Sequence, residues 1–279
     1  MRGERTGDYQ NISQEIAELK RHANSVDIII TQAYQLDNKG TLWGRVNPRL
    51  YQFTRAEKIH LMPMVTNEGY DQSLTHRLLI SSKARRRAID NLLEVCKKYK
   101  YYGIQIDFEN VYIDDRNYLT EFYTELAKAL HKNGFKISIA LFPLTSNIPP
   151  TTALKRLYNN WAYAYNYKAL GEASDFVSIM AYNQHGGVTT PGPSAGIPWV
   201  RKVIEYSLQY IPANKISLGI PSYSTYWHMV ERDKRNHSLG ADISFKTAAD
   251  LIKKNNAQVM WDASQGVNYT FYNRNQFNE

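Results

Sequence analysis

The sequence predicts an α/β fold, a (β/α)8 TIM barrel, from three observations. Short runs rich in Ile, Val and Leu alternate six times with longer amphipathic stretches, the pattern of parallel strands covered by helices. No glycine-rich phosphate loop follows the first run, which argues against a dinucleotide-binding open sheet. Polar and aromatic residues stand at the C-terminal ends of many runs: Gln35, Asn67, Glu109, Tyr182 and Tyr223. An open doubly wound sheet gathers such residues at one switch point, whereas a barrel spreads them around its mouth.

Each element follows in order. "VDIIITQAYQL" (26–36) is the first strand, followed by polar "DNKG" and a helix over "NPRLYQFTRAEK". "IHLMPMV" (59–65) is the second, followed by "TNEGYDQ" and the helix "SKARRRAIDNLLEVCKKY". "YGIQIDFE" (102–109) is the third; the helix "YLTEFYTELAKALHKNG" after it has apolar spacing of three and four and closes on Gly134. "KISIALFP" (136–143) is the fourth. A Pro-rich loop and a Tyr-rich helix (158–167) precede "DFVSIMAYN" (175–183), the fifth, and helix "WVRKVIEYSLQYI" precedes "KISLGIPSYS" (215–224), the sixth. The chain opens on helix-like "NISQEIAELKRHA" and closes on "VMWDASQGVNYTFYNRNQFNE", which reads as a β-hairpin. The first and last barrel strands are therefore not evident in this chain, since eight are expected.

Composition narrows the chemistry. The 279 residues are 43% apolar and carry a formal net charge of +8, so one domain spanning 1–279 is expected, with a basic surface suited to nucleic acid, anionic cell wall or membrane. The longest basic cluster is only "KARRRA", on a helix, which favours ordinary solubilising charge. Twenty-one Tyr and five Trp supply rings with polar handles, as wet grooves that bind sugars or bases favour. The single cysteine, Cys96, lies at an apolar position of a helical pattern, which excludes a disulfide framework and predicts a buried, inert thiol. No His, Cys or carboxylate cluster has metal-ligand spacing, so neither metal nor cofactor is expected. No run approaches the roughly 18 apolar residues of a membrane helix, and "MRGERTGDYQ" lacks the apolar core of a signal peptide.

One strand carries acid. Alternate residues share a face, so Gln105, Asp107 and Glu109 line one side of "YGIQIDFE" and Ile104, Ile106 and Phe108 the other. In a barrel the polar set faces the interior, and Glu109, coming last, reaches the rim. Side chains about 6.6–7 Å apart along that face put Asp107 below Glu109, where like charge raises the pKa of a general acid. The competing reading is a carboxylate pair satisfied by Arg, Lys or backbone donors.

Tyr102-Gly103-Ile104-Gln105-Ile106-Asp107-Phe108-Glu109 resembles the D-G-x-D-x-D-x-E signature of glycoside hydrolase family 18, the chitinase-like barrels. "MAYN" (180–183) is similar to that family's M-x-Y-D. "PGPSAGIPWVRKVIEY" with "KISLGIPSYSTYW" resembles the run into its seventh strand in the bacterial cell-wall and spore-cortex-lytic N-acetylglucosaminidase branch. "VMWDASQGVNYTFY" is similar to the family's small inserted α+β region before the last strand, which the resemblance places at about 226–275. It spans about residues 26–275.

The resemblance implies retaining, substrate-assisted hydrolysis of β-1,4-linked N-acetylglucosamine glycans, peptidoglycan or chitin-type, an exception to the two-carboxylate rule. Glu109 matches the acid/base, Asp107 the residue holding the acetamido N–H, and Tyr182 the donor to the acetamido carbonyl. Asn183 stands where the family usually has Asp. Tyr102 and Gln105 replace the first two signature acids. Gln105 can hydrogen-bond Asp107 but cannot share a proton with it, so a weakly active or inactive sugar-binding barrel is the alternative. Further substrate-binding candidates are Asn67, Tyr34 and Gln35 at the ends of the first two strands, Tyr223 and Trp227 as aromatic platforms, and Trp261 and Asp262 from the inserted region. Turn chemistry or packing competes at each. The implied partner is a polysaccharide, with no membrane insertion, with cell-wall-binding modules attached outside this chain, and with nucleic acid disfavoured for lack of a recognised motif. The implied location is secreted, periplasmic or cell-wall-associated, a cytoplasmic one staying open.

Overall fold

The computed structural model describes residues 12–148, 155–187, 189–228 and 239–272. Packing of the chain groups it into two compact units, the first made of residues 1–142, 146–178 and 210–217, the second of 143–145, 179–209 and 218–279.

The first unit opens on α1 (Ser13–Arg21), then β1 (Ile28–Leu36), β2 (Leu42–Gly44), α2 (Pro48–Ala56) and β3 (His60–Asn67). It continues with α3 (Gln72–Ile80), α4 (Ser82–Tyr99), β4 (Gly103–Asp107), α5 (Arg116–Lys132), β5 (Lys136–Leu141), α6 (Lys155–Trp161), α7 (Tyr167–Ala173), β6 (Phe176–Ile179) and, later in the chain, β7 (Ile216–Leu218). Helix starts follow local chemistry: the side chains of Asn47, Asp71 and Ser81 accept from backbone N–H groups of the first turns of α2, α3 and α4, satisfying donors that a helix start leaves orphaned. Ile12, Ile16 and Leu19 pack against a cluster of Leu50, Phe53 and Ile59, which explains the apolar stripe of the first helix.

One seven-stranded sheet runs in the order β2-β1-β3-β4-β5-β6-β7. β1–β3, β3–β4 and β4–β5 are parallel, and β2 folds back antiparallel on β1. Without β2, the strand order is the order in sequence. An open doubly wound sheet reverses direction at a switch point; this one does not. All six strands read from the sequence are present. β2 is the addition, and "DNKG" is its hairpin turn, where Asp37 Oδ1 accepts from the N–H groups of Lys39 and Thr41 at 2.8 Å each.

β4 is buried throughout. Ile104, Ile106 and Phe108 are all 0% exposed, and Phe108 stacks on Phe122 of α5 with ring centroids 5.7 Å apart. The register pairs Met64 with Gln105, Gln105 with Ser138, and Thr66 with Asp107, so these residues share the opposite, inward face. A Cβ on Gly103 would come within 2.0 Å of the Lys136 carbonyl oxygen; only glycine lets β4 and β5 pair this closely there. Arg85, from the basic run of α4, is buried and pairs with Glu121 and Glu125 of α5 at 2.8 and 3.2 Å, so that run is not purely solubilising.

The second unit holds α8 (Ile197–Leu208), β8 (Tyr223–His228), β9 (Leu239–Ser244), α9 (Phe245–Lys254), β10 (Met260–Asp262) and β11 (Val267–Tyr269). β8 pairs antiparallel with β9, and β10 with β11. The predicted closing hairpin is therefore present over 260–269, and the last part of that predicted segment, 273–279, lies outside the described residues. The run "KISLGIPSYS" is not one strand: it breaks at 219–222, where Pro221 offers no N–H, and resumes as β8. Likewise "DFVSIMAYN" stops at Ile179, because the amides of Ala181 and Tyr182 turn back onto the carbonyls of Ile179 and Met180, and Asn183 is left-handed at φ 58°.

Candidate active site

The acid pair sits where β4 ends. Asp107 is 6% exposed, and Glu109 lies two residues on, half-buried. Burial pushes the Asp107 carboxyl up to about 6. Burial, with the Asp107 charge second, pushes Glu109 up to about 7. Desolvation outweighs like-charge proximity, the reverse of the emphasis read from spacing alone. No Arg or Lys answers the pair: Oδ1 of Asp107 has no hydrogen-bond partner among the described residues, nor have Oε1 of Gln105 and Oγ of Ser138 on the same face.

The backbone around Glu109 is held instead. Asn67, 0% exposed at the end of β3, accepts from the Glu109 N–H at 3.0 Å and donates to the Glu109 carbonyl at 2.9 Å. Its amide also donates to Thr75 Oγ1 at 2.8 Å, and that hydroxyl donates to the Asp71 carbonyl at 2.8 Å. Asn67 was expected to line the sugar; with its amide committed to the protein it positions Glu109. Tyr165 donates through its hydroxyl to the Phe108 carbonyl, so the chain is pinned on both sides of the acid. Asn110 follows in a left-handed conformation, φ 54°, and its amide donates to the Tyr70 carbonyl at 2.9 Å.

Tyr34 also departs from expectation. It is 4% exposed, and its hydroxyl meets that of Tyr101 at 3.1 Å, so it is a core residue. A register shift between Gln32 and Tyr34 is the cause: one extra residue changes which face the following side chains take. Gln35 is exposed and pairs in register with Thr66, hence in the same row as Asp107.

Among the second-unit candidates, Tyr182 and Tyr223 pack edge to face with centroids 6.4 Å apart, and the Tyr223 hydroxyl donates to Asn183 Oδ1. Gly219 makes room for this pair, since a Cβ there would come within 2.7 Å of Tyr182 Cε1. Trp227 donates to the Gly186 carbonyl at 3.2 Å and lies over Gly240, its register partner, a packing role. Asp262 caps the β10–β11 turn, its Oδ1 accepting from the amides of Ser264 and Gln265 and the Ser264 hydroxyl. Its neighbour Trp261 is 60% exposed.

The sequence reading missed Tyr70 and undervalued Tyr165. Both acids raise the Tyr70 hydroxyl, after burial, to about 12, which places it in their field and keeps it protonated. Its position in "TNEGYDQ", directly after a barrel strand, was the available signal. Cys96 is buried and burial lifts its thiol to about 12, so it is inert as expected.

The family model for "Glycosyl hydrolases family 18" matches residues 7–279. An uncharacterized glycosylase of Bacillus subtilis, YvbX, is 26% identical over 95% of this chain and 73% of its own length. The cortical fragment-lytic enzyme of Bacillus subtilis is 28% identical over 90% of this chain but only 57% of its own length, so the chain spans little more than half of that relative. The crystal structure of a chitinase from Chromobacterium violaceum superposes with a TM-score of 0.82 at 27% identity, covering 96% of this chain and 81% of that one. The chain belongs to glycosyl hydrolases family 18, and it is a glycoside hydrolase built on that family's (β/α)8 barrel.

Proposed function

We propose that the chain, acting as one catalytic domain, cleaves β-1,4-linked N-acetylglucosamine-containing glycans with retention, using the substrate's own 2-acetamido group as nucleophile. The observation that carries this is the carboxylate pair at the end of β4, Asp107 buried and Glu109 half-buried, with Glu109 poised at about 7. Protonated Glu109 donates to the glycosidic oxygen as the C1–O bond breaks and the acetamido carbonyl oxygen bonds to C1. Asp107 accepts from the acetamido N–H and balances the positive charge of the oxazoline ring, a preorganised interaction that matters most in the transition state. Glu109, now a carboxylate, takes a proton from water as that water attacks C1 and the oxazoline C1–O bond breaks, regenerating the acetamido group. Two displacements restore the original anomeric configuration. Tyr182, with Asn183 and Tyr223 beside it, is assigned to the acetamido carbonyl. Gln35 and Trp261 are assigned to substrate contact.

Peptidoglycan is preferred over chitin, and action at the cell wall over the cytoplasm. The net charge of +8 suits an anionic wall, and a relative over 90% of this chain is a cortical fragment-lytic enzyme. The test is Glu109→Gln assayed on a chromogenic N-acetylglucosamine oligomer and on purified peptidoglycan, with products read by mass spectrometry. Loss of turnover by about 10²–10⁴-fold with the fold retained is expected from removal of a general acid; equal activity sinks the mechanism. Gln105 favours a second reading, a sugar-binding barrel that is weakly active or inactive. Calorimetric binding of the oligomer without turnover by the unmutated chain would establish it.

A further inference from the structure

The ends of β3 and β4 remote from the acid carry a different chemistry. A cleft of about 460 Å³ lies where these strands begin, and no carboxylate lines it. Arg55, Lys58, His60 and Lys100 converge on it, with the rings of Tyr51 and Tyr102. His60 and Tyr102 stack at 4.0 Å between centroids and so form one continuous wall. Lys100 is the left-handed C-cap of α4, Arg55 lies in the last turn of α2, and Lys58 follows that helix at φ 59°. Helix C-termini favour cations, which accounts for each residue singly. It does not account for three cations from two helices meeting over one aromatic wall. The neighbouring acids lie outside the cleft lining: Glu57 is exposed, as is Asp27, whose carbonyl accepts from the His60 N–H at 3.1 Å, and Asp175 is occupied by Lys136 and His131 at 2.8 and 2.9 Å. At about 3.3 Å per strand residue, Tyr102 and Glu109 are roughly 20 Å apart along β4.

From this geometry we propose a second binding site, for a phosphodiester-linked polyol polymer, at the strand-start end of the first unit. The Arg55 fork and the two lysines match the oxygens of a phosphate, and the C–H groups of a polyol fit along the ring edges of the Tyr102–His60 stack. Nucleic acid fits less well, because base stacking needs open ring faces and these two rings cover each other. The site goes beyond hydrolysis, and the choice of polymer rests on the cell-wall reading above: it would hold the chain on an anionic wall polymer while the acid pair works at the opposite strand ends.

The test uses the full chain and soluble poly(glycerol phosphate) in equilibrium binding, against single-stranded DNA and poly-glutamate of matched charge. In the triple variant Arg55→Gln, Lys58→Gln, Lys100→Gln, affinity for poly(glycerol phosphate) is expected to fall at least tenfold. The slope of log K against log salt is expected to fall by about two, at roughly 0.7 per phosphate contact on a single-stranded polyanion. A control variant with Lys246, Lys253 and Lys254 changed to Gln should bind as the parent does. Unchanged thermal unfolding and oligomer hydrolysis would show that the triple variant folds, and Glu109→Gln should bind the polymer normally. Equal losses in the triple and control variants would reduce the effect to net charge and overturn the proposal. So would equal or tighter binding of DNA or poly-glutamate, or no binding by the parent.

Discussion

Asn67→Ala separates positioning from sugar contact. The wild-type amide makes three hydrogen bonds of 2.8, 2.9 and 3.0 Å, two of them to the backbone of Glu109. At about 1 kcal/mol per bond, the substitution costs roughly 3 kcal/mol of stability. The larger effect is expected on rate. With its peptide released, Glu109 can wander by about 1 Å, and such misplacement costs on the order of 10²-fold. A positioning residue loses kcat at nearly constant KM, whereas a residue that binds substrate uniformly raises KM at constant kcat. Initial rates on a chromogenic oligomer, with urea denaturation in parallel, distinguish the two. Asn67→Asp keeps the acceptor for the Glu109 N–H but loses the donor to its carbonyl, so it should fall between. Raised KM with full kcat in Asn67→Ala, or no change in either, refutes the positioning argument.

Other outcomes follow from the same charges and bonds. With Glu109 at about 7 and Asp107 at about 6, kcat/KM should be bell-shaped with its maximum between pH 6 and 7, the apparent values belonging to the pair; a flat profile from pH 5 to 9 would contradict it. Both carboxyls are raised by burial, so their contribution to stability is full below about pH 4 and is lost as pH rises through 6 and 7. Glu109→Gln should accordingly unfold at a higher temperature than the parent at pH 8, with the gap closing at pH 4. Asp175 behaves oppositely: burial raises its carboxyl, but Lys136, the Ile137 N–H and His131 outweigh that and lower it. Asp175→Asn should destabilise the fold at pH 7, and the difference should vanish as acid protonates the native carboxylate. Lys215 donates to the carbonyls of Gly171, Glu172 and Ser174 at 3.1, 3.2 and 2.8 Å, closing the end of α7. Lys215→Met should cost about 1–2 kcal/mol by denaturant titration.

The sequence by itself determined the alternation of strands and helices, the two faces of β4 and the residue that ends it. These are properties of local periodicity: Ile104, Ile106 and Phe108 must share one face and Asp107 and Glu109 the other, whatever surrounds them. The ordered motifs carried the family as well. What tertiary structure alone decided was how each polar or aromatic strand end is spent. Asn67 and Tyr34 read as rim residues because they close apolar runs. Yet the partner of an amide is set by a peptide 42 residues away, and the face of Tyr34 by a register shift that no period reveals. Tyr165, in the Tyr-rich run 158–167, pins the acid because its hydroxyl meets a carbonyl 57 residues distant. The cationic cleft is likewise invisible in order along the chain, since Arg55 and Lys100 come together only when α2 and α4 both end where β3 and β4 begin. Periodicity fixes direction along an element; contact between elements depends on register and packing, and those exist only in the folded chain.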